Sequence, residues 1–289
     1  MSRSTRRIIL GVVAGVAIST VVAVATAVAA SSGGVRTQAR SAGSLARVNF
    51  ISGCGFSHRA ADDPIVFPGS PGASHDHSFV GNNSTDAFSA LGSLQAASTT
   101  CRRPVDKAGY WVPTLMVDGQ PVAPLNATIY YRRSTLAAVH PFPAGLKVIA
   151  GDSKATAPQS RRITFWNCGL EAGMPASATP PSCPAGRGRE LRLHVTFPSC
   201  WDGVSTDSPD HRSHMAYPER RACPASHSVP VPAISLIYRY PVSGTHQIEL
   251  SSHGAYSGHA DFFNAWDQAR LQQLVDSCLN ALRHCGRGS

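Results

Sequence analysis

A mainly β domain is what the sequence predicts: a single-domain β-sandwich, jelly-roll-like or in a distorted barrel-like form, with long loops and one amphipathic C-terminal helix. Three observations carry this expectation. Apolar and polar residues alternate over several short runs. Gly and Pro, 25 and 21 of 289 residues, punctuate the chain too often for long helices. Only near the C-terminus does the apolar spacing change to three and four residues.

The chain opens with Arg3, Arg6 and Arg7, followed by an uncharged apolar stretch from Ile8 to Ala30 that includes Ala27-Val28-Ala29. That is the layout of a cleavable secretory signal, residues 1–30, and it predicts an extracellular protein. Thr5-Arg6-Arg7-Ile8-Ile9-Leu10 also resembles a twin-arginine export signal. The stretch is long enough to cross a bilayer, so an uncleaved anchor is the competing reading, and membrane contact is expected through this segment alone. Residues 31–47 are small, polar and basic and read as a flexible lead-in. Residues 48–286 read as one β-rich domain with no linker and no internal repeat.

Within that domain, Leu191, Leu193, Val195 and Phe197 alternate with Arg192, His194 and Thr196, and Ile234, Leu236, Tyr238 and Tyr240 alternate with Ser235, Ile237 and Arg239. Each run predicts a strand with one buried face. Shorter strands are expected at Trp111 to Val117, Ala127 to Tyr131, Leu146 to Ala150, Ile163 to Trp166 and Gln247 to Leu250. Phe263, Trp266, Leu271, Leu274, Val275, Cys278 and Leu282 fall on one helical face, and Asp261 is the expected N-cap of that helix.

Without residues 1–30, which carry three arginines and no acidic residue, the net charge falls from +9 to +6. The arginines come in short pairs, so no nucleic-acid arm is expected, although an acidic wall polymer could be attracted. All eight cysteines, Cys54, Cys101, Cys168, Cys183, Cys200, Cys223, Cys278 and Cys285, follow the signal. An even count in an exported chain predicts disulfides. Eight cysteines allow 105 connectivities; joining sequence neighbours is the simplest. There is no P-loop, dinucleotide fingerprint or GxSxG elbow.

The chemistry gathers in three segments that hold His together with Asp, Asn and Trp. In the first, His75 and His77 flank Asp76; on an extended strand they share one face about 6 to 7 Å apart, close enough to converge on a metal, phosphate or sugar hydroxyl. In the second, Trp201, Asp202, Asp207, Asp210, His211, His214 and Tyr217 lie on a loop anchored by Cys200. If residues 210–214 form a helical turn, His211 and His214 share its side. In the third, His259 and Asp261 precede Asn264 and Asp267, which would project from the same side of a helix as Asp261.

These residues, His75-Asp76-His77 with Phe79 and Gly81, Cys200-Trp201-Asp202-Gly203 through His211 to Tyr217-Pro218, Cys223-Pro224, and His259-Ala260-Asp261-Phe262 to Trp266-Asp267, together resemble the DUF1996 family from about Val48 to Cys285. The family comprises secreted proteins of fungi and actinobacteria without an assigned activity. Its relatives resemble modular wall-associated or carbohydrate-binding proteins, which implies a polysaccharide environment. This chain is compact, so any wall attachment is expected from the domain itself.

Three readings follow. The first is a secreted glycoside hydrolase or polysaccharide lyase, monomeric and acting on a carbohydrate or cell-wall polymer. Its catalytic groups are expected among His75, His77, Asp202, Asp210, His211, His214, His259 and Asp261, and its substrate contacts among Trp201, Asp207, Tyr217, Asn264 and Asp267. The second is a non-catalytic wall- or metal-binding protein in which His75, His77, His211, His214 and His259 hold a divalent metal, the one cofactor the residues suggest. The third gives these residues to turns and loop packing.

Overall fold

The computed structural model describes residues 42–169 and 175–286. The proposed signal and most of the lead-in lie outside the described residues. The last part of the lead-in, Ala42–Arg47, forms a 3-10 turn that buries Leu45.

In chain order the strands are β1 (Asn49–Cys54), β2 (Phe56–Ala60), β3 (His77–Gly81), β4 (Gly109–Pro113), β5 (Leu115–Val117), β6 (Gln120–Val122), β7 (Asn126–Arg132), β8 (Lys147–Gly151), β9 (Thr164–Cys168), β10 (Leu191–Thr196), β11 (Cys200–Trp201), β12 (Met215–Ala216), β13 (Val229–Pro230), β14 (Ala233–Arg239), β15 (Ile248–Leu250), β16 (His259–Phe263) and β17 (His284–Cys285). A six-stranded sheet has the order β17-β1-β7-β14-β10-β9 and a five-stranded sheet the order β2-β3-β4-β16-β8. Two three-stranded sheets, β12-β11-β13 and β15-β5-β6, complete the set. The architecture is mainly β, as expected. The sheets of six and five strands are open, and their orders do not describe a closed barrel or the eight-strand double Greek key of a jelly roll.

Period-two alternation builds the core. Phe50, Ile129, Tyr131, Leu193, Val195, Leu236 and Tyr238 from the larger sheet form one apolar cluster with Val80, Tyr110, Val112, Val148, Ala260 and Phe262 from the smaller. The Tyr238 hydroxyl donates across this interface to the Ser78 and Tyr110 carbonyls, at 3.3 and 3.1 Å. The other face of the five-stranded sheet is also covered. There Phe79, Trp111, Ile149 and Phe263 form a second cluster with Ile65, Leu94 and Ala265. Both faces of the sheet are therefore removed from water, which makes any polar residue on them conspicuous.

The C-terminal helix is shorter than its periodicity suggests. α1 is a six-residue helix at Leu91–Ala96, and α2 spans Gln268–Leu274, continuing as a π-helical turn over Val275–Asn280. The N-cap of α2 is Asp267, whose Oδ1 accepts from the Arg270 amide at 2.8 Å. Asp261, expected in that role, lies instead on β16. His259, Asp261 and Phe263 alternate with Ala260 and Phe262, and that two-residue period prevails over the apolar spacing that begins at Phe263.

Four disulfides, Cys54–Cys101, Cys168–Cys183, Cys200–Cys223 and Cys278–Cys285, each join sequence neighbours. No free cysteine remains among the described residues. No helix among them is long and apolar enough to cross a membrane.

Candidate metal centre

Strands β3 and β16 flank β4, each antiparallel to it, so they run in the same direction one strand apart. Phe79 and Asp261 both stand opposite Trp111. Two residues earlier on the same face come His77 and His259. Their backbones are separated by two inter-strand spacings, about 9.6 Å, yet the rings lean together to a centroid distance of 5.8 Å. His75, just before β3, closes the group: its ring lies 4.2 Å from that of His77 and 5.0 Å from that of His259. One potential ligand atom from each of the three lies within 4.8 Å of the others. Asp63, His77 and Asp261 form an overlapping group by the same measure.

Gly151 permits this approach. It pairs with His259 in the β8–β16 ladder at φ 82°, and a Cβ there would come within 2.5 Å of the Gly258 carbonyl and 2.9 Å of His259 Cα. A side chain would push the start of β16 away.

Hydrogen bonding fixes how the rings present themselves. His77 Nδ1 is 2.9 Å from the Asp62 carbonyl and His259 Nδ1 is 2.8 Å from the Ser257 carbonyl. A carbonyl only accepts, so each Nδ1 carries the proton and each Nε2 presents a lone pair. Metal-binding histidines are oriented in this way, by an outer partner on the other nitrogen. His75 Nε2 and His259 Nε2 are 3.2 Å apart, close to the roughly 3.3 Å expected for two nitrogens held tetrahedrally at 2.0–2.1 Å from one zinc ion. His77 Nε2 and Asp261 Oδ2 are buried without a hydrogen-bond partner, and Asp261 Oδ2 lies 4.0 Å from His259 Nε2. Lone pairs buried facing one another are costly, and a shared cation removes that cost.

For the imidazoles the electrostatics agree with neutral ligands. Burial, assisted by the charge of His253, lowers the His75 pKa to about 4. Burial brings His259 down to about 3 and His77 well below its ordinary value. Burial, with the neighbouring Asp63 charge, raises Asp261 well above the usual carboxylate range. Asp63 is raised by burial too; its Oδ1 accepts from the amides of Ile65 and Val66 at 2.8 and 3.0 Å, fastening the loop that covers the centre. Beside the centre a cleft of about 270 Å³ reaches His75, His259 and Asp261 past Phe67, Lys154 and Arg212.

The long central loop contributes differently from what its composition suggests. Asp202 Oδ1 accepts from the amides of Val204 and Ser205 at 2.8 and 2.9 Å, and Trp201 Nε1 donates to the Ser205 carbonyl at 2.7 Å. Asp210 Oδ1 accepts from the Ser213 amide and the Ser208 hydroxyl at 2.8 and 2.7 Å, which holds its pKa far below the usual carboxylate range. Asp207 joins His211 Nδ1 at 2.8 Å and Lys147 Nζ at 3.3 Å. His214 is buried, with Nε2 donating to the Lys147 carbonyl at 2.7 Å and Nδ1 2.8 Å from the Ser208 hydroxyl. Tyr217 donates to the Thr196 carbonyl at 2.9 Å. No helical turn places His211 and His214 on one side, and neither joins the imidazole group. The loop knits itself to β8 and β10, and its Arg212 alone borders the cleft.

In the third segment, Asn264 donates to the Phe142 and Pro143 carbonyls at 3.3 and 2.7 Å, and Asp267 caps α2. Both hold structure instead of extending the centre. Asp63, Lys154, Arg212 and His253 do not stand out in the sequence as site residues. The Asp62-Asp63 pair upstream of His75 is the available signal for the first; exposed basic residues carry no pattern that separates the other three from the rest.

Fold and site together define a mainly β, disulfide-closed domain with a histidine-carboxylate centre set into the outer face of one sheet. Residues 63–266 match the family model described as a domain of unknown function, DUF1996, and the chain belongs to that family. The match is shorter at both ends than the resemblance from Val48 to Cys285, and it takes in His75 to His77, the central loop and His259 to Trp266. No curated protein and no solved structure matches the chain.

Proposed function

We propose that this is an extracellular protein built to hold a divalent transition metal on His75, His77 and His259, with Asp261 as a fourth ligand and Asp63 beside it. The observation that carries the reading is the pair of buried, unpartnered atoms, His77 Nε2 and Asp261 Oδ2, turned into the space where the other imidazoles meet. Three imidazole nitrogens with carboxylate oxygen suit zinc or copper. Export is part of the same reading, supported by four disulfides that consume every cysteine.

The test is metal analysis of the purified protein before and after chelation, followed by calorimetric titration of the stripped protein with zinc and copper ions. A single ion per chain, removed by chelator and restored with a rise in melting temperature, is the expected result. Absence of stoichiometric binding by either ion would sink the reading.

A catalytic version is favoured by one observation, the cleft that reaches the centre past Lys154 and Arg212. A metal with one open position supplies an activated water at neutral pH, and the two cations would steady an anionic group of an extracellular or cell-wall polysaccharide. This differs from a hydrolase or lyase using the central loop, whose Asp202, Asp210 and His214 are engaged in holding that loop. Chelator-sensitive release of reducing ends, or of unsaturated products, from a panel of acidic glycans would establish it; release untouched by chelation would refute it.

A further inference from the structure

A second cleft, of about 460 Å³, lies on the outward face of the six-stranded sheet, away from the histidines. Alternation puts Asn126, Thr128 and Tyr130 of β7, Arg239 of β14 and Arg192 of β10 on that face. Arg192 and Arg239 are direct cross-strand partners. Like charges placed opposite one another, with Cβ atoms about 4.5 to 5.5 Å apart, destabilise a sheet. Here the local compensation is thin: Glu190 lies 3.9 Å from Arg192, whose Nη2 reaches the Gly188 carbonyl at 3.5 Å. Arg192 is only 7% exposed, and the Nε of Arg192 and of Arg239 are both buried without a hydrogen-bond partner. Arg102 adds a third guanidinium at the rim, its Cδ and Nε 3.8 and 3.9 Å from where a Cβ on Gly53 would stand.

We propose that this cleft is a binding site for the oxyanion of an acidic saccharide, a uronate carboxylate or a sugar sulfate, held between Arg192 and Arg239 with Arg102 at the rim. Guanidinium groups pair with planar or tetrahedral oxyanions through two parallel donors, and a bound anion would satisfy both orphaned Nε–H groups while cancelling the cross-strand repulsion. Thr100, Thr128 and Asn126 supply hydroxyl and amide partners for sugar hydroxyls. Nucleic acid fits less well. Single-strand recognition uses aromatic faces for base stacking, and the Arg132 guanidinium already lies over the Tyr130 ring, 4.4 Å from its centroid. The site uses none of the metal-centre residues and so stands or falls apart from it.

The test is calorimetric titration of the full chain with oligogalacturonate, a sulfated oligosaccharide, a neutral cello-oligosaccharide, inorganic phosphate and oligothymidylate. One or both acidic saccharides should bind, more weakly as salt rises, and chelator should leave the affinity unchanged. Arg239→Gln should weaken binding at least tenfold while holding or raising the melting temperature, because it relieves the repulsion. Arg102→Gln, at an exposed position, should weaken it in the same direction. Which acidic saccharide binds identifies the oxyanion. Equal binding of the neutral saccharide, phosphate bound as tightly as the saccharides, tighter binding of oligothymidylate, or full affinity in Arg239→Gln would overturn the proposal.

Discussion

Two buried polar clusters in this molecule invite comparison, because one is closed and the other is not. Beneath the six-stranded sheet, Asp106 accepts from Ser52 at 2.6 Å, from Tyr110 at 3.0 Å and from the Ala108 amide at 3.2 Å. Tyr110 and Tyr131 share a hydroxyl contact, and Trp266 Nε1 donates to Tyr131 at 2.8 Å. The Cys54 and Cys101 sulfurs come within 4.8 Å of Asp106, but they are spent on each other as a disulfide. Every member of that network has its partner. On the outer face of the five-stranded sheet, His77 Nε2 and Asp261 Oδ2 have none. A satisfied cluster is explained by folding, whereas an unsatisfied one in the same interior points to something that binds there.

Substitutions should separate the two clusters cleanly. The largest effect is expected from His259→Ala, which removes a proposed ligand. Metal affinity should fall more than about 100-fold, beyond the usual cost of losing an outer-shell partner, measured by competition titration against a chromophoric chelator. Next comes Asp106→Ala, which strands the Ser52 and Tyr110 hydroxyls in the core. It should cost about 3 kcal/mol in denaturant unfolding and leave metal affinity unchanged. A metal defect in Asp106→Ala, or intact affinity in His259→Ala, would break the distinction.

The smallest effect is in pH dependence, where the imidazoles of one cluster and the Asp106 carboxyl of the other should act with opposite signs. His75 and His259, lowered to about 4 and 3 when folded, contribute stability that is full above the unfolded value of 6.5 and is lost as pH falls toward about 3. Burial pushes Asp106 up to about 7, so its contribution is full below 3.8 and is lost as pH rises through 7. Stability measured from pH 4 to 8 on metal-free protein should therefore rise more steeply with pH in Asp106→Asn than in the unsubstituted protein. Parallel profiles would mean that Asp106 is not held protonated by burial.

Several parts of the fold were legible in the sequence because they obey a local period. The runs at Leu191 to Phe197 and Ile234 to Tyr240 are β10 and β14, and their in-and-out alternation also set Arg192 and Arg239 on the outer face. β16 is less legible and has the look of a helix start in the sequence. Phe263 and Trp266 fit a helical spacing, while the alternation from His259 to Phe263 occupies too few residues to stand out. At the candidate site, His75, His77, His259 and Asp261 drew attention by type and spacing, and they meet. Asp202, Asp210, His211 and His214 drew attention for the same reasons, and each is fastened to its own loop or to β8.

The order of residues alone therefore determined the β character of the chain, an even set of cysteines able to pair, the family, and the short list of groups able to do chemistry. Only the tertiary structure decided which of those groups are left over. A carboxylate followed two or three residues later by an available amide closes on itself locally, as Asp202 and Asp210 do. Whether His77 or Asp261 finds a partner depends on what strands and loops distant in sequence bring to it, and that is settled only when the sheet is built and covered.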